Sequence, residues 1–205
     1  MPDSYHHGNL REALVEAGVA LAREGGPSAV QLRAASREAG VSHNAAYRHF
    51  ANQEDLLSAV ADRCMTELSK LMIERTEQVK VRGAVPRAKA RLRAIGRAYI
   101  DFARTEPGWF RTAFSSATPP PGNEVTHESE GEILGPFEIL SARLDELVEV
   151  GALAADHREG AEFGPWSGVH GLSSLLLDGP LRVLPDAEVD YAIDKLLNVI
   201  DRGLY

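Results

Sequence analysis

Residues 31–50 constrain the fold more than any other stretch, because two short helical patterns are separated there by a glycine that must turn the chain sharply. Leu32 and Ala35 share one face of the first pattern, from Gln31 to Ala39. Gly40 ends it, since a chain leaving a helix at that point passes through a left-handed conformation that residues with a Cβ resist. Ser42 then caps a helix running to about Phe50, its hydroxyl accepting a first-turn N–H, while Val41 plugs the angle between the two helices. Helix, tight turn and helix make the helix-turn-helix pattern. The second helix presents His43, Asn44, Ala45 and Arg48 at its start and along one face. Asn pairs bidentately with adenine, Arg with guanine, and Ala touches a thymine methyl, so these side chains suit base edges in a major groove. Tyr47 and His49 flank them and suit phosphate oxygens. Phe50 is expected in the core, and Tyr47 is expected to bury its ring and keep its hydroxyl free. The same pattern also occurs in proteins that never meet DNA.

The rest of the chain predicts an all-α protein, with no strand alternation bounded by hairpin turns. A first helix spans Asn9 to Glu24, with Leu10, Leu14, Ala17 and Leu21 at helical spacing and Gly25-Gly26-Pro27 ending it. A long fourth helix runs from Asn52 to about Lys80, with Asn52 and Asp55 forming a near capping box. It carries Cys64, the single cysteine, which reads as a small buried hydrophobe. A basic amphipathic stretch follows from Pro86 to Arg104, then an aromatic turn at 109–114 and a loop over 115–131 with prolines at 119–121. Helices are expected over Ile133–Val150 and Glu159–Leu177. The last one carries Val189, Ile193, Leu196, Leu197 and Ile200, an i, i+4, i+7, i+8, i+11 stripe.

Charge divides the chain. Residues 1–100 hold 15 Lys+Arg against 11 Asp+Glu, a balance of +4, while residues 101–205 hold 7 against 19, a balance of −12. Two functional parts follow, of which only the first approaches phosphates without strong repulsion. The single cysteine excludes an internal disulfide framework and a cysteine-based metal site. His6-His7 lacks a third ligand at metal spacing and reads as a solvent-exposed N-terminal arm, so no metal and no cofactor is expected. There is no secretory pattern at the start and no apolar run long enough to span a membrane, which leads to the expectation of a cytoplasmic protein. Phosphate loops, HExxH and GxSxG are absent, so an enzyme is not expected.

The run from Ala39 to Phe50, ending Tyr47-Arg48-His49-Phe50 and followed by Gln53-Glu54-Asp55-Leu56-Leu57, resembles the core signature of the tetracycline-repressor (TetR) family. His6-His7-Gly8-Asn9-Leu10-Arg11 looks like one branch of it. Trp166-Ser167-Gly168-Val169-His170-Gly171 resembles the Trp-His-Gly signature of that branch's C-terminal domain. The resemblance implies a DNA-binding domain over 8–67 and a helical ligand-binding and dimerisation domain over 85–204, joined by the long fourth helix. It places His43, Asn44, Ala45 and Arg48 toward bases, Tyr47 and His49 toward phosphates, and Ser42 and Arg33 in the DNA-contacting set. Where the family commonly has Thr or Ser, this chain has Gln31; where it commonly has Lys, this chain has Gln53.

Partners implied are a palindromic double-stranded operator, a second copy of the chain and a small, largely apolar effector. The aromatic residues Tyr99, Phe102, Trp109, Phe110, Phe114, Phe137 and Trp166 either line a cavity or fill a core. His170, one turn after Trp166, is either an effector contact or an interior histidine packed beside it. Dimerisation is expected to use Val189, Ile193, Leu196, Leu197 and Ile200, with Gly168 and its neighbours Gly164 and Gly171 admitting another helix closely. A regulator driven by a protein partner without a small ligand is the alternative.

Overall fold

The computed structural model describes residues 7–115 and 133–204. Among them are nine α-helices: α1 (His7–Gly25), α2 (Leu32–Glu38), α3 (His43–Ala46), α4 (Gln53–Glu77), α5 (Ala84–Thr105), α6 (Pro107–Ala113), α7 (Pro136–Glu149), α8 (Phe163–Leu177) and α9 (Asp186–Leu204). They form two compact units, one of residues 7–66 with 106–115, the other of 67–105 with 133–204. The helix α4 starts in the first and ends in the second. Of the expected arm at His6-His7, His6 lies outside the described residues and His7 begins α1; nearly all of the expected loop over 115–131 also lies outside them.

In the first unit, Leu14, Val30, Leu32, Ala35, Ala46, Phe50, Leu56, Val60 and Cys64 are all buried in one cluster. Burying each large aliphatic or aromatic side chain contributes roughly 1.5–3 kcal/mol. The turn between α2 and α3 is made by Gly40 at φ +67°, and Val41 packs partly buried against the core. Ser42 Oγ accepts from the Ala45 N–H at 3.2 Å, one of the orphan donors of a helix start. Asn52 Oδ1 accepts from Asp55 N at 2.9 Å, and the Asp55 carboxylate accepts from Ala51 N at 3.0 Å. The reciprocal cap read from the sequence therefore forms, reaching one residue further back. Arg63 ties α4 to α1 through Glu12 and Glu16.

The first unit departs from expectation at 109–114. Residues 109–113 are helix, not turn, and α6 packs on α1. Pro107 is pre-set for a first helical turn, and Gly108 lies so close to α1 that a Cβ there would overlap the carbonyl oxygens of Ala22 and Arg23. Trp109 Nε1 donates to Val19 O at 2.9 Å, and Arg23 stacks on the indole while pairing with Glu106. Regular α-helix in α3 also stops at Ala46, short of Phe50. The chain continues to Phe50 through bonds such as Arg48 N to Ala45 O and His49 N to Ala46 O.

In the second unit α5 packs on α7, α8 and α9. Its buried positions Ala88, Leu92, Ile95, Tyr99 and Phe102 step by four and three residues, so one helical face meets all three neighbours. Arginines on its other flank pair with acids of α9: Arg93 with Asp194 and Asp201, Arg97 with Asp190, and Arg104 with Asp186. Two starts come later than expected. Gly135-Pro136 sets the start of α7, and Gly160 at φ +71° delays α8 to Phe163.

Candidate DNA-reading surface and effector cavity

Asn44 and Arg48 are exposed, His43, Ala45 and His49 are half-buried, and Ala46 behind them is fully buried. The tight turn and the buried Ala46 and Phe50 thus hold the candidate segment outward by its own inner face. Tyr47 corrects the expectation of a buried ring. It is 50% exposed and stands edge-on to His43 at 4.6 Å, because Ala46 and Phe50, not Tyr47, take the core-facing positions. Ser42 Oγ accepts one hydrogen bond in the cap and keeps an O–H to donate. Gln31 makes no side-chain cap to α2 and bonds Ser28 O instead. Arg33, Arg37 and Arg48 are exposed, and none is paired with a carboxylate among the described residues.

The eight side chains proposed for an effector divide between the units. Trp109, Phe110 and Phe114 belong to the first, where Phe110 and Phe114 lie 4.9 Å apart and Trp109 bonds α1. They therefore do not join the set in the second unit, a correction that follows from α6 packing on α1. Tyr99, Phe137, Trp166 and His170 do come together. Trp166 meets Tyr99 at 5.4 Å and Phe137 at 5.5 Å, both edge-to-face. The Tyr99 hydroxyl lies 2.8 Å from His170 Nδ1. Burial pushes the tyrosine pKa up and the histidine pKa down, so both are neutral, and the imidazole tautomer sets which of the two donates. His170 is thus a partnered, half-buried histidine beside tryptophan.

Next to this cluster lies an apolar cavity of about 30 Å³, lined by Leu92, Ile95, Tyr99, Leu140, Trp166 and Val169 among others. Arg93 and Asp201, paired across α5 and α9, stand at its edge. Phe102 is buried elsewhere in the core. The sequence did not single out Leu92 or Ile95 as lining residues, and Leu140 and Val169 carried no signal beyond helical burial.

The dimerisation stripe splits as well. Val189, Ile193 and Leu197 are buried inside the protomer, and Leu197 and Ile200 line the cavity. Gly168 is covered by Leu196 and Ile200 of the same chain. This corrects the reading that the whole stripe awaits a partner, because α9 uses its most apolar face against α5 and α8. What stays outside is Phe163, Leu175, Tyr191 and Val199, with open space over Gly164 and Gly171.

A short exposed segment held outward by the buried faces of a helix-turn-helix, together with a second helical unit that lines a small apolar cavity, is the organisation of a helix-turn-helix regulator. The profile described as "Bacterial regulatory proteins, tetR family" matches residues 14–60, and "Tetracyclin repressor-like, C-terminal domain" matches residues 92–200. The chain belongs to the tetracycline-repressor family of DNA-binding transcription regulators. Its fold is shared by many solved structures, of which three serve as examples. A protein of unknown function from Rhodococcus sp. RHA1 is 24% identical at a TM-score of 0.73, over 98% of each chain. A TetR transcriptional regulator from Streptomyces coelicolor is 18% identical at 0.60, over 93% of each chain. A TetR family regulator from Marinobacter aquaeolei VT8 is 16% identical at 0.53, over 96% of this chain and 97% of that one. No protein of curated function matches the sequence. Among the described residues, no helix is long and apolar enough to cross a membrane.

Proposed function

We propose that the protein is a dimeric repressor released from a palindromic operator by a small, largely apolar effector. The observation that carries this is the aromatic-walled cavity beside the Tyr99–His170 pair in the second unit. At about 30 Å³ it has room for little more than a few small atoms, so an effector must select a more open arrangement. The same smallness favours the second reading, a dimeric regulator controlled by a protein partner. The helix α4 begins beside the reading unit and carries Met72 to the cavity wall, which supports it as the link.

Bases are read by His43, Asn44, Ala45 and Arg48, with Arg33, Ser42, Tyr47 and His49 positioning the backbone. Arg48→Ala is expected to cost about 1–3 kcal/mol and to relax specificity at one operator position. Tyr47→Phe, which removes one phosphate donor, weakens all sequences about equally. Operator selection with both variants checks this, and unchanged binding in both removes the helix as the reader.

The second copy is proposed to dock on the outer face of α8 and α9. A groove of about 510 Å³ there is lined by Gly164, Leu196, Val199, Ile200, Gly203 and Leu204 among others. A two-fold pairing sets the reading helices about one DNA turn, roughly 34–36 Å, or a multiple of it apart.

A thermal-shift screen of metabolites and drugs, followed by operator titration with each hit, tests the effector. A coupling of about 1–3 kcal/mol weakens operator binding roughly 5–150-fold, and DNA weakens effector binding by the same factor. Hits that bind free and DNA-bound protein equally well favour the partner-driven reading.

A further inference from the structure

We propose that the notch between α2 and α3 seats a backbone phosphate of the DNA, with Arg37 as its principal cation. Arg37 lies outside the reading set above, and the proposal rests on the DNA-binding reading of that surface. Arg33 and Arg37 stand one helical turn apart on the exposed flank of α2. With Ser36, Val41 and His43 they wall an open notch of about 330 Å³.

The serine and backbone groups of the notch are already satisfied, while His43 Nδ1 is buried there without a hydrogen-bond partner among the described residues. Ser36 Oγ donates to Leu32 O at 2.6 Å, and Val41 N donates to Ser36 O at 2.9 Å. The two guanidinium groups are not. Arg63, Arg91, Arg93, Arg97, Arg104, Arg143 and Arg158 pair with carboxylates, whereas Arg33 and Arg37, like the exposed Arg48, Arg75, Arg82, Arg87 and Arg202, pair with none among the described residues, and Arg33 and Arg37 also share one notch. Two neighbouring cations without an acid gain their compensation from an anion that arrives from outside. The fork of a guanidinium matches two oxygens of a phosphodiester.

The location selects DNA as that anion's source. His43 belongs both to the notch and to the reading segment, so a duplex that meets Asn44 and Arg48 carries its backbone along the same edge. At the start of α4, Gln53 adds no cation to this surface. Arg37 therefore supplies affinity without sequence information.

The test is fluorescence anisotropy with two probes, a duplex selected from a random pool and a mixed-sequence duplex of equal length, each titrated across salt concentrations. Arg37→Gln is expected to weaken both by the same factor, about 3–10-fold near 0.1 M salt, and to reduce the log–log salt slope by about 1. Arg37→Lys keeps the slope, and both variants melt with the wild type because the side chain is exposed. Arg48→Ala, by contrast, penalises the selected duplex far more than the mixed one. If Arg37→Gln leaves slope and affinity unchanged while Arg48→Ala is impaired, the notch proposal is overturned and the reading helix stands. A loss confined to one base position overturns it too, making Arg37 a base reader. A wild-type protein that binds neither duplex removes the DNA-binding reading along with it.

Discussion

Ile193→Asp is expected to unfold the second unit, while Val199→Asp is expected to leave each protomer folded and abolish the proposed dimer. Ile193 is wholly buried, in a helix packed on α5 and α8. A carboxylate there loses its hydration without gaining a cation, and the isoleucine packing is lost as well. Such an ion costs several kcal/mol even after relaxation, so a total of about 4–5 kcal/mol or more is the expected loss. Val199 sits on the same helix six residues later and is 66% exposed. Asp at such a position changes protomer stability by about 0.5 kcal/mol or less. In the proposed interface it would bury two charges close to a two-fold axis, where like charges repel. Thermal melts followed by circular dichroism and sedimentation at micromolar concentration separate the two effects. A normally melting Ile193→Asp refutes the packing of α9 described above. A dimeric Val199→Asp moves the interface elsewhere.

Gly108→Val is the second large effect. The backbone of α6 lies against α1 at Gly108, where even a Cβ would overlap two carbonyl oxygens, of Ala22 and Arg23. Backbone cannot rotate away as a side chain can, so the helices must separate. Overpacking of this kind typically costs 1–3 kcal/mol; about 3 kcal/mol is expected here because the obstruction is main chain on both sides. The separation also strains the Trp109–Val19 hydrogen bond and the Arg23–Glu106 pair. Urea unfolding gives the loss, and the emission of Trp109, measured in a Trp166→Phe background, reports on the α1–α6 contact. A midpoint and emission equal to those of the background refute the close approach.

The reading unit was legible because its cues are local. The left-handed turn at Gly40, the cap from Ser42, and the reciprocal bonds of Asn52 and Asp55 each involve residues within a few positions of one another. Phe50 takes the core as expected, but the Tyr47 ring does not join it, because so short a segment has one inward face and Ala46 and Phe50 fill it.

In the second unit, helical periodicity determined that helices form and which face of each is apolar. It could not say what covers that face. The stripe on α9 reads the same whether α5 or a second copy lies against it, and only the tertiary structure assigned Val189, Ile193 and Leu197 to the protomer. The aromatic residues from Tyr99 to Phe114 form one group along the chain, yet α6 returns to α1 and takes Trp109, Phe110 and Phe114 with it. Charge behaves likewise. The basic stretch of α5 and the acidic excess of the second half were visible as totals, but Arg93, Arg97 and Arg104 pair with aspartates of α9 some 80–110 residues away. Sequence fixes what each segment offers on its surface; long-range packing chooses the partner, because burial and ion pairing depend on position in space and not on separation along the chain.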